Sequence, residues 1–346
     1  RKKMENYEKL RKLGEGAYGI VSEFKHRETG ENFAIKKVRI GHDAKASKNG
    51  VNFTAIREMK ILQELSHPNV VQLKEVFHRK QNIYLVYEFC VTDLERIIKK
   101  VGVLAPQHIK GFMYQILRGV DYLHKSWVLH RDIKPSNMLM TAKGVLKLAD
   151  FGISRHFGSP RCRQHMSPQV VTRWYKPIEL LFGARRYGVG VDMWSVGCVF
   201  AELILLKPYL PGNSDLDQIS TIYKALGVPT ESEWPEMKNL PCYVEWQPFA
   251  PPPLRNTFFA ATESTVDLLS KFLKFNPNDR ITAEDALEHA YFKEDPKPAE
   301  PAQLPLALKT NPPPSSSPAS PVEVRKRPRP IPLDFGSAME NAKKKP

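Results

Sequence analysis

His130-Arg131-Asp132-Ile133-Lys134-Pro135-Ser136-Asn137 is followed, thirteen residues past its asparagine, by Asp150-Phe151-Gly152. These stretches bring two carboxylates, an amide and an ammonium into a short span of chain. Asp150 and Asn137 offer hard oxygen ligands of the kind Mg²⁺ takes. Asp132 can accept the proton of a hydroxyl, and Lys134 can steady a phosphate as charge moves. Phosphoryl transfer needs that set, because the metal screens the phosphates while a carboxylate orients the attacking oxygen. Each residue alone would pass for a surface charge; order and spacing carry the reading.

Toward the N-terminus stands Gly14-Glu15-Gly16-Ala17-Tyr18-Gly19-Ile20-Val21. Glycines let backbone approach phosphate oxygens closely and present N–H donors. A dinucleotide-binding turn would lead into a helix. Here Val21-Ser22-Glu23-Phe24 reads as a strand, so the expectation is a glycine hairpin over a triphosphate. Phe33-Ala34-Ile35-Lys36 then ends a strand on a lysine, which alone would pass for an exposed cation, but its spacing after the glycines resembles that of the protein-kinase Val-Ala-Ile-Lys strand. That resemblance implies a lysine that holds two phosphates and is oriented by a carboxylate, for which Glu58 is the candidate.

Hydrophobic periodicity gives the scaffold. Residues 7–40 alternate apolar and polar, as do Val70–Phe77 and Asn82–Phe89, which predicts strands. Ala55, Ile56, Met59, Ile61, Leu62 and Leu65 mark one helix. Ile109, Phe112, Met113, Ile116, Leu117, Val120 and Leu123 recur with helical spacing, and Val191–Leu206 and Thr265–Phe275 read as further helices. The expectation is a small strand-rich lobe, a connector and a larger helical lobe, an α+β class.

The chain has 346 residues, 42% hydrophobic and 26% charged, enough to bury a sizeable core and too apolar for wholesale disorder. The longest apolar stretch, Val196–Leu206, is interrupted by Glu202 and falls short of the ~20 residues that span a bilayer. No secretory leader is visible in residues 1–13. Four scattered cysteines with no Cys-x-x-Cys pair fit a reducing compartment without structural zinc. Net charge is +15. The last 51 residues hold 13 of the 29 prolines, and nine Lys/Arg against four Asp/Glu, and read as a disordered Pro/Ser/basic tail.

Together the motifs resemble those of the eukaryotic protein kinase family over roughly residues 7–293. The resemblance implies a bilobal fold with ATP and Mg²⁺ in the cleft: an extension at 1–6, an N-lobe at 7–87, a hinge at 88–93, a C-lobe at 94–295 and the tail at 296–346. Catalytic roles fall to Asp132, Lys134, Lys36 and Glu58, and metal ligation to Asn137 and Asp150. Glu88, Phe89 and Cys90 resemble the adenine-binding hinge, preceded by Tyr87 as gatekeeper. Leu13, Val21, Ala34 and Leu139 would sandwich the base, with Asp93 and the loop Gly14 to Gly19 completing the nucleotide contacts. One departure is visible. Pro177-Ile178-Glu179 stands where the family has Ala-Pro-Glu, with Glu179 still available to Arg280.

Asn52-Phe53-Thr54-Ala55-Ile56-Arg57-Glu58 and Gly212-Asn213-Ser214-Asp215-Leu216-Asp217-Gln218 resemble cyclin-dependent kinases, in which a cyclin presses the helix inward to form the Lys–Glu pair. Val51–Leu65, Thr92–Glu95, Phe157–Pro160, Val171–Tyr175 and Leu181–Ala184 are most similar to the CDK-activating kinases of TFIIH, plant D-type members included. That resemblance implies a cyclin H-like subunit, a MAT-type assembly factor and TFIIH as partners. It implies other cyclin-dependent kinases and the RNA polymerase II tail as substrates. It also implies phosphorylation of Ser167, secondarily of Ser159, with Arg57, Arg131 and Arg155 receiving the phosphate. Ala17 stands where the group has an inhibitory threonine; Tyr18 beside it is a further candidate. The run Arg325-Lys326-Arg327-Pro328-Arg329 points to the nucleus, with the cytoplasm left open. Neither sequence-specific nucleic acid binding nor a membrane is expected. A pseudokinase scaffold and a mitogen-activated or transcription-elongation kinase remain alternatives.

Overall fold

Alternation of apolar and polar residues builds the N-terminal part into five antiparallel strands. They are β1 (Tyr7–Gly16), β2 (Gly19–His26), β3 (Asn32–Arg39), β4 (Leu73–Arg79) and β5 (Asn82–Glu88), in the order β1-β2-β3-β5-β4. α1 (Phe53–Glu64) lies between β3 and β4 in sequence. The computed structural model describes residues 3–16, 19–39, 53–158 and 165–306. The chain divides into two units, Arg1–Leu308 and Lys309–Pro346, and the second lies outside the described residues.

The two faces of the sheet differ, because successive side chains in a strand point opposite ways. Ile35, Val86, Phe24 and Phe77 form a small buried cluster on one face, with Tyr7, Phe33 and Tyr84 packed against it. Ala34, Val38, Leu85 and Tyr87 join the main core on the other face. Lys36 alternates with Ile35 and so shares the face of Ala34 and Tyr87. In register, Lys36 pairs with Leu85 and Ala34 with Tyr87.

Beyond Glu88 come β6 (Thr92–Asp93), α2 (Leu94–Lys100) and α3 (Pro106–Lys125). Asp93 caps α2 by accepting from the Arg96 N–H at 2.8 Å. The apolar stripe of α3 is buried along its length, from Ile109 through Leu123. Next are β7 (Val128–Leu129), β8 (Met138–Met140), β9 (Leu146–Leu148) and β10 (Arg155–His156). β6, β8 and β9 form one small sheet, while β7 and β10 pair in another. α4 (Ile178–Leu181), α5 (Gly190–Leu205) and α6 (Asp215–Leu226) follow, then α7 (Leu254–Thr257) and α8 (Glu263–Phe272). α5 is buried from Gly190 to Leu203, which suits its nearly unbroken apolar sequence.

The extension at 3–6 packs on the sheet: Arg27 donates to the carbonyls of Asn6 and Glu5, and Met4 packs on the small cluster. The packed chain also continues past 295 to 306. The Ala299 N–H donates to the Gln107 carbonyl at 2.9 Å, and Ala299 and Leu304 are buried. Proline content masked this, because the few apolar residues there find a seat only on α3. A Cβ at Gly111 would lie 2.6 Å from the Ala299 carbonyl oxygen, so the glycine makes room for the segment.

Candidate active site

The glycine hairpin is the turn between β1 and β2, with Gly16 opposite Gly19 in register. Gly19 has φ +143°, and a Cβ there would lie 2.3 Å from the Lys37 carbonyl oxygen. The chain itself therefore demands that glycine. At Gly14 a Cβ would meet no protein atom within 4 Å. Packing does not explain Gly14, whereas a ligand approaching the backbone would. Ala17 and Tyr18 lie outside the described residues.

Lys36, from β3, reaches the Glu58 carboxylate of α1, with Nζ to Oε2 at 2.7 Å. The Tyr87 hydroxyl donates to the other oxygen, Oε1, also at 2.7 Å. All three side chains are buried. Burial, then the neighbouring Glu58 carboxylate, pushes the Tyr87 phenol well above its ordinary range, so it stays a donor. The expected Lys–Glu pair is thus made within this chain. Asn52 and the Phe53 side chain, at the start of the helix that resembles the cyclin-pressed one, lie outside the described residues.

Leu13, Val21, Ala34 and Leu139 are each half-buried, apolar groups left incompletely covered on both sides of the cleft. At the connector, Glu88 accepts from the Gln72 N–H and pairs with Lys147, both at 2.8 Å. Phe89 and Cys90 are half-buried. Burial pushes the Cys90 thiol up to about 12, so it is no nucleophile.

Asp132 lies in a close network. Its Oδ2 accepts from Asn137 Nδ2 at 2.9 Å and from Lys134 at 2.8 Å. Its Oδ1 accepts from the Thr172 hydroxyl at 2.8 Å and the Thr172 N–H at 3.2 Å. Lys134 also donates to the Thr172 hydroxyl at 2.9 Å, tying the loop to the activation segment. Burial alone would push the Asp132 carboxyl up; Lys134, Thr172 and His130 outweigh it and leave the carboxyl below its ordinary value. Asp132 is therefore an ionised, oriented acceptor at neutral pH.

Asn137 spends its amide N–H groups on Asp132, both backbone and side chain, which leaves Oδ1 free of hydrogen bonds among the described residues. The Asp150 carboxylate likewise accepts no hydrogen bond from them. Two side chains with unclaimed hard oxygens fit Mg²⁺, which usually takes one or two such protein ligands and completes its shell with phosphates and water. Asp150 has φ +64°, a strained conformation that functional sites often hold. Next to it Phe151 is fully buried, its ring 5.0 Å from that of His130.

Reading the sequence missed three residues of this site. Asp192, at the start of α5, is fully buried beneath the catalytic loop. It accepts from the His130 N–H at 2.9 Å, the Arg131 N–H at 2.8 Å and His124 Nε2 at 3.0 Å. In sequence it looks like an ordinary acidic residue in a first helical turn. Thr172 lies 40 residues from the carboxylate it touches. Tyr187 accepts from Arg131 Nη1 at 2.9 Å and donates to the Ser167 carbonyl at 2.7 Å.

Through Tyr187, Arg131 is thus linked to the Ser167 carbonyl. Arg57 donates instead to the Gly152 carbonyl at 3.4 Å. Ser167 itself is exposed. Ser159 lies outside the described residues. The Pro177-Ile178 departure leaves its surroundings intact. Ile178 is fully buried, and Glu179 meets Arg280 through two bonds of 2.6 and 2.8 Å.

The family described as the protein kinase domain matches residues 7–292. The chain is 52% identical to cyclin-dependent kinase 7 of Xenopus laevis over 86% of its own length and 84% of that protein. It is 48% identical to cyclin-dependent kinase D-1 of Oryza sativa subsp. indica, over 87% of its length and 70% of that protein. A solved CAK complex from Chaetomium thermophilum bound to ATP-γ-S includes a chain that is similar at TM-score 0.80 and 42% identity. That match covers 86% of this chain and 94% of the other.

Proposed function

The chain belongs to the protein kinase family, within it to the CDK-activating kinases of the cyclin-dependent kinase 7 type, and on that footing we propose how its residues carry out transfer to protein hydroxyls. It is a serine/threonine protein kinase that uses ATP. Asp132 accepts the hydrogen bond of the substrate hydroxyl and takes up its proton as attack proceeds. Lys134, already bonded to Asp132 and Thr172, turns its ammonium to the transferring phosphoryl oxygens. Lys36 holds phosphate oxygens of the nucleotide, and Glu58 keeps its ammonium pointed there. The glycine hairpin covers the triphosphate with backbone N–H groups. Asn137 and Asp150 would hold Mg²⁺, which screens the phosphate charge when bound.

The substrates are the activation segments of other cyclin-dependent kinases and serines of the RNA polymerase II C-terminal domain. The partners are a cyclin H-like subunit and a MAT-type assembly factor, with TFIIH as the larger assembly. Likeness to a chain of a CAK complex supports that reading. The phosphorylated Ser167 is received by Arg131, Arg155 and Arg57, and the location is nuclear. Among the described residues no helix is long and apolar enough to cross a membrane.

One observation carries the mechanism: the Asp132 carboxylate bonded at once to Asn137, Lys134 and Thr172. The test is transfer of labelled phosphate to a polymerase-tail repeat peptide and to an inactive cyclin-dependent kinase. The enzyme is the full chain copurified with its cyclin. Transfer that depends on Mg²⁺ and on Asp132 is expected; robust transfer by Asp132→Asn would overturn the assignment.

A further inference from the structure

Glu58 is held from two sides. One oxygen takes the Lys36 ammonium and the other takes the Tyr87 hydroxyl, each at 2.7 Å. The sheet register accounts for this. Ala34 faces Tyr87 and Lys36 faces Leu85, so Lys36 and Tyr87 are diagonal neighbours on one face. Diagonal positions stand about 7–8 Å apart, a gap that one carboxylate can bridge. Lys36 and Tyr87 come from the rigid sheet; Glu58 alone comes from α1, the element a cyclin is expected to move.

From this we propose that Tyr87 is a positioning residue: its hydroxyl tethers Glu58 to the sheet, keeps α1 inward, and reduces how much the Lys36–Glu58 pair depends on cyclin. Glu58 is 3% exposed and Tyr87 7% exposed, so water has little access to stand in for the hydroxyl. A buried carboxylate oxygen without a donor is costly, and an outward swing of α1 would relieve that cost by letting water in. The hydroxyl removes that incentive. A phenylalanine would fill the same volume and leave Oε1 bare. Burial and the Glu58 charge keep the phenol protonated, so the tether persists across the neutral range.

The proposal rests on the kinase reading, and the experiment separates the two. Tyr87→Phe is compared with wild type in the full chain, alone and copurified with a cyclin H-type subunit. Hydrogen exchange of the α1 backbone, Phe53–Glu64, is read in the chain alone. Exchange should quicken there by roughly tenfold to a hundredfold, the size of one charge-assisted hydrogen bond, while α3 stays unchanged. Activity of the chain alone should fall by a similar factor, and cyclin should restore most of it with the KM for ATP within about twofold of wild type. On a Glu58→Gln background, Tyr87→Phe should add much less to α1 exchange than it does in wild type. Unchanged α1 exchange would overturn the proposal. So would an equal loss with and without cyclin accompanied by a raised KM for ATP, which marks Tyr87 as a wall of the nucleotide pocket only. Absence of transfer by wild type in both states would count against the kinase reading; the exchange comparison would still decide the role of Tyr87.

Discussion

Replacing Asp192 by asparagine removes a buried charge that no substrate touches. In the wild type Oδ2 accepts from the His130 N–H and His124, and Oδ1 accepts from the Arg131 N–H. An asparagine keeps one acceptor. Placed toward His130 and His124 it satisfies two donors, but its own N–H₂ then faces the Arg131 N–H. Losing charge-assisted character costs about 1.5–3 kcal/mol, and a stranded buried N–H costs about 1–3 kcal/mol more. A total of about 2.5–6 kcal/mol is a large part of the roughly 5–15 kcal/mol that holds a domain together. The loop that shifts carries Asp132, and a misplacement of about 1 Å can lower turnover about 100-fold. Urea unfolding should show the midpoint falling, and kcat should fall while the KM for ATP holds.

The pH dependence has a definite sign. Burial would raise the Asp192 carboxyl, but His124, His130 and the Arg131 N–H outweigh it and leave it below its ordinary value. A depressed carboxyl stabilises the fold fully above the unfolded value, about 3.9, and loses that contribution as pH falls through the folded value. The stability gap between wild type and Asp192→Asn should be full at pH 7 and shrink in acid below about pH 4. A variant of wild-type stability and turnover at pH 7 would refute the reasoning.

Asp132→Asn should abolish peptide phosphorylation while nucleotide affinity, measured by titration calorimetry, stays near wild type. Glu179→Gln leaves the buried Arg280 charge without its carboxylate and should cost about 3–5 kcal/mol by urea unfolding; a neutral result would mean the backbone carbonyls around Arg280 suffice for it. Ser167→Ala should lower activity or cyclin affinity, with Arg131→Ala mimicking it, because a phosphate there meets arginine forks. Mass spectrometry of active enzyme that finds Ser167 unmodified, with the alanine variant fully active, would remove that role.

The chemistry of the site was legible in the sequence because its residues sit in local runs. Asp132, Lys134 and Asn137 lie within six positions, and Asp150 follows close behind. Strands and the long helices showed through periodicity, since a half-buried strand or helix must repeat its apolar residues at its own pitch. What stayed hidden were contacts across long separations. Thr172 reaches Asp132 from another loop, and Asp192 supports that loop from α5. Tyr87 read as the gatekeeper before the hinge, yet its hydroxyl turns to a carboxylate 29 residues away. Residues 296–306 read as tail because proline dominates them, while the glycine in α3 that seats them lies far back in the chain. Sequence by itself determined which groups are available and in which elements, since propensity and pattern act on neighbours. Only the tertiary structure decided which of those groups meet, because register, helix packing and burial bring distant oxygens and nitrogens within bonding distance.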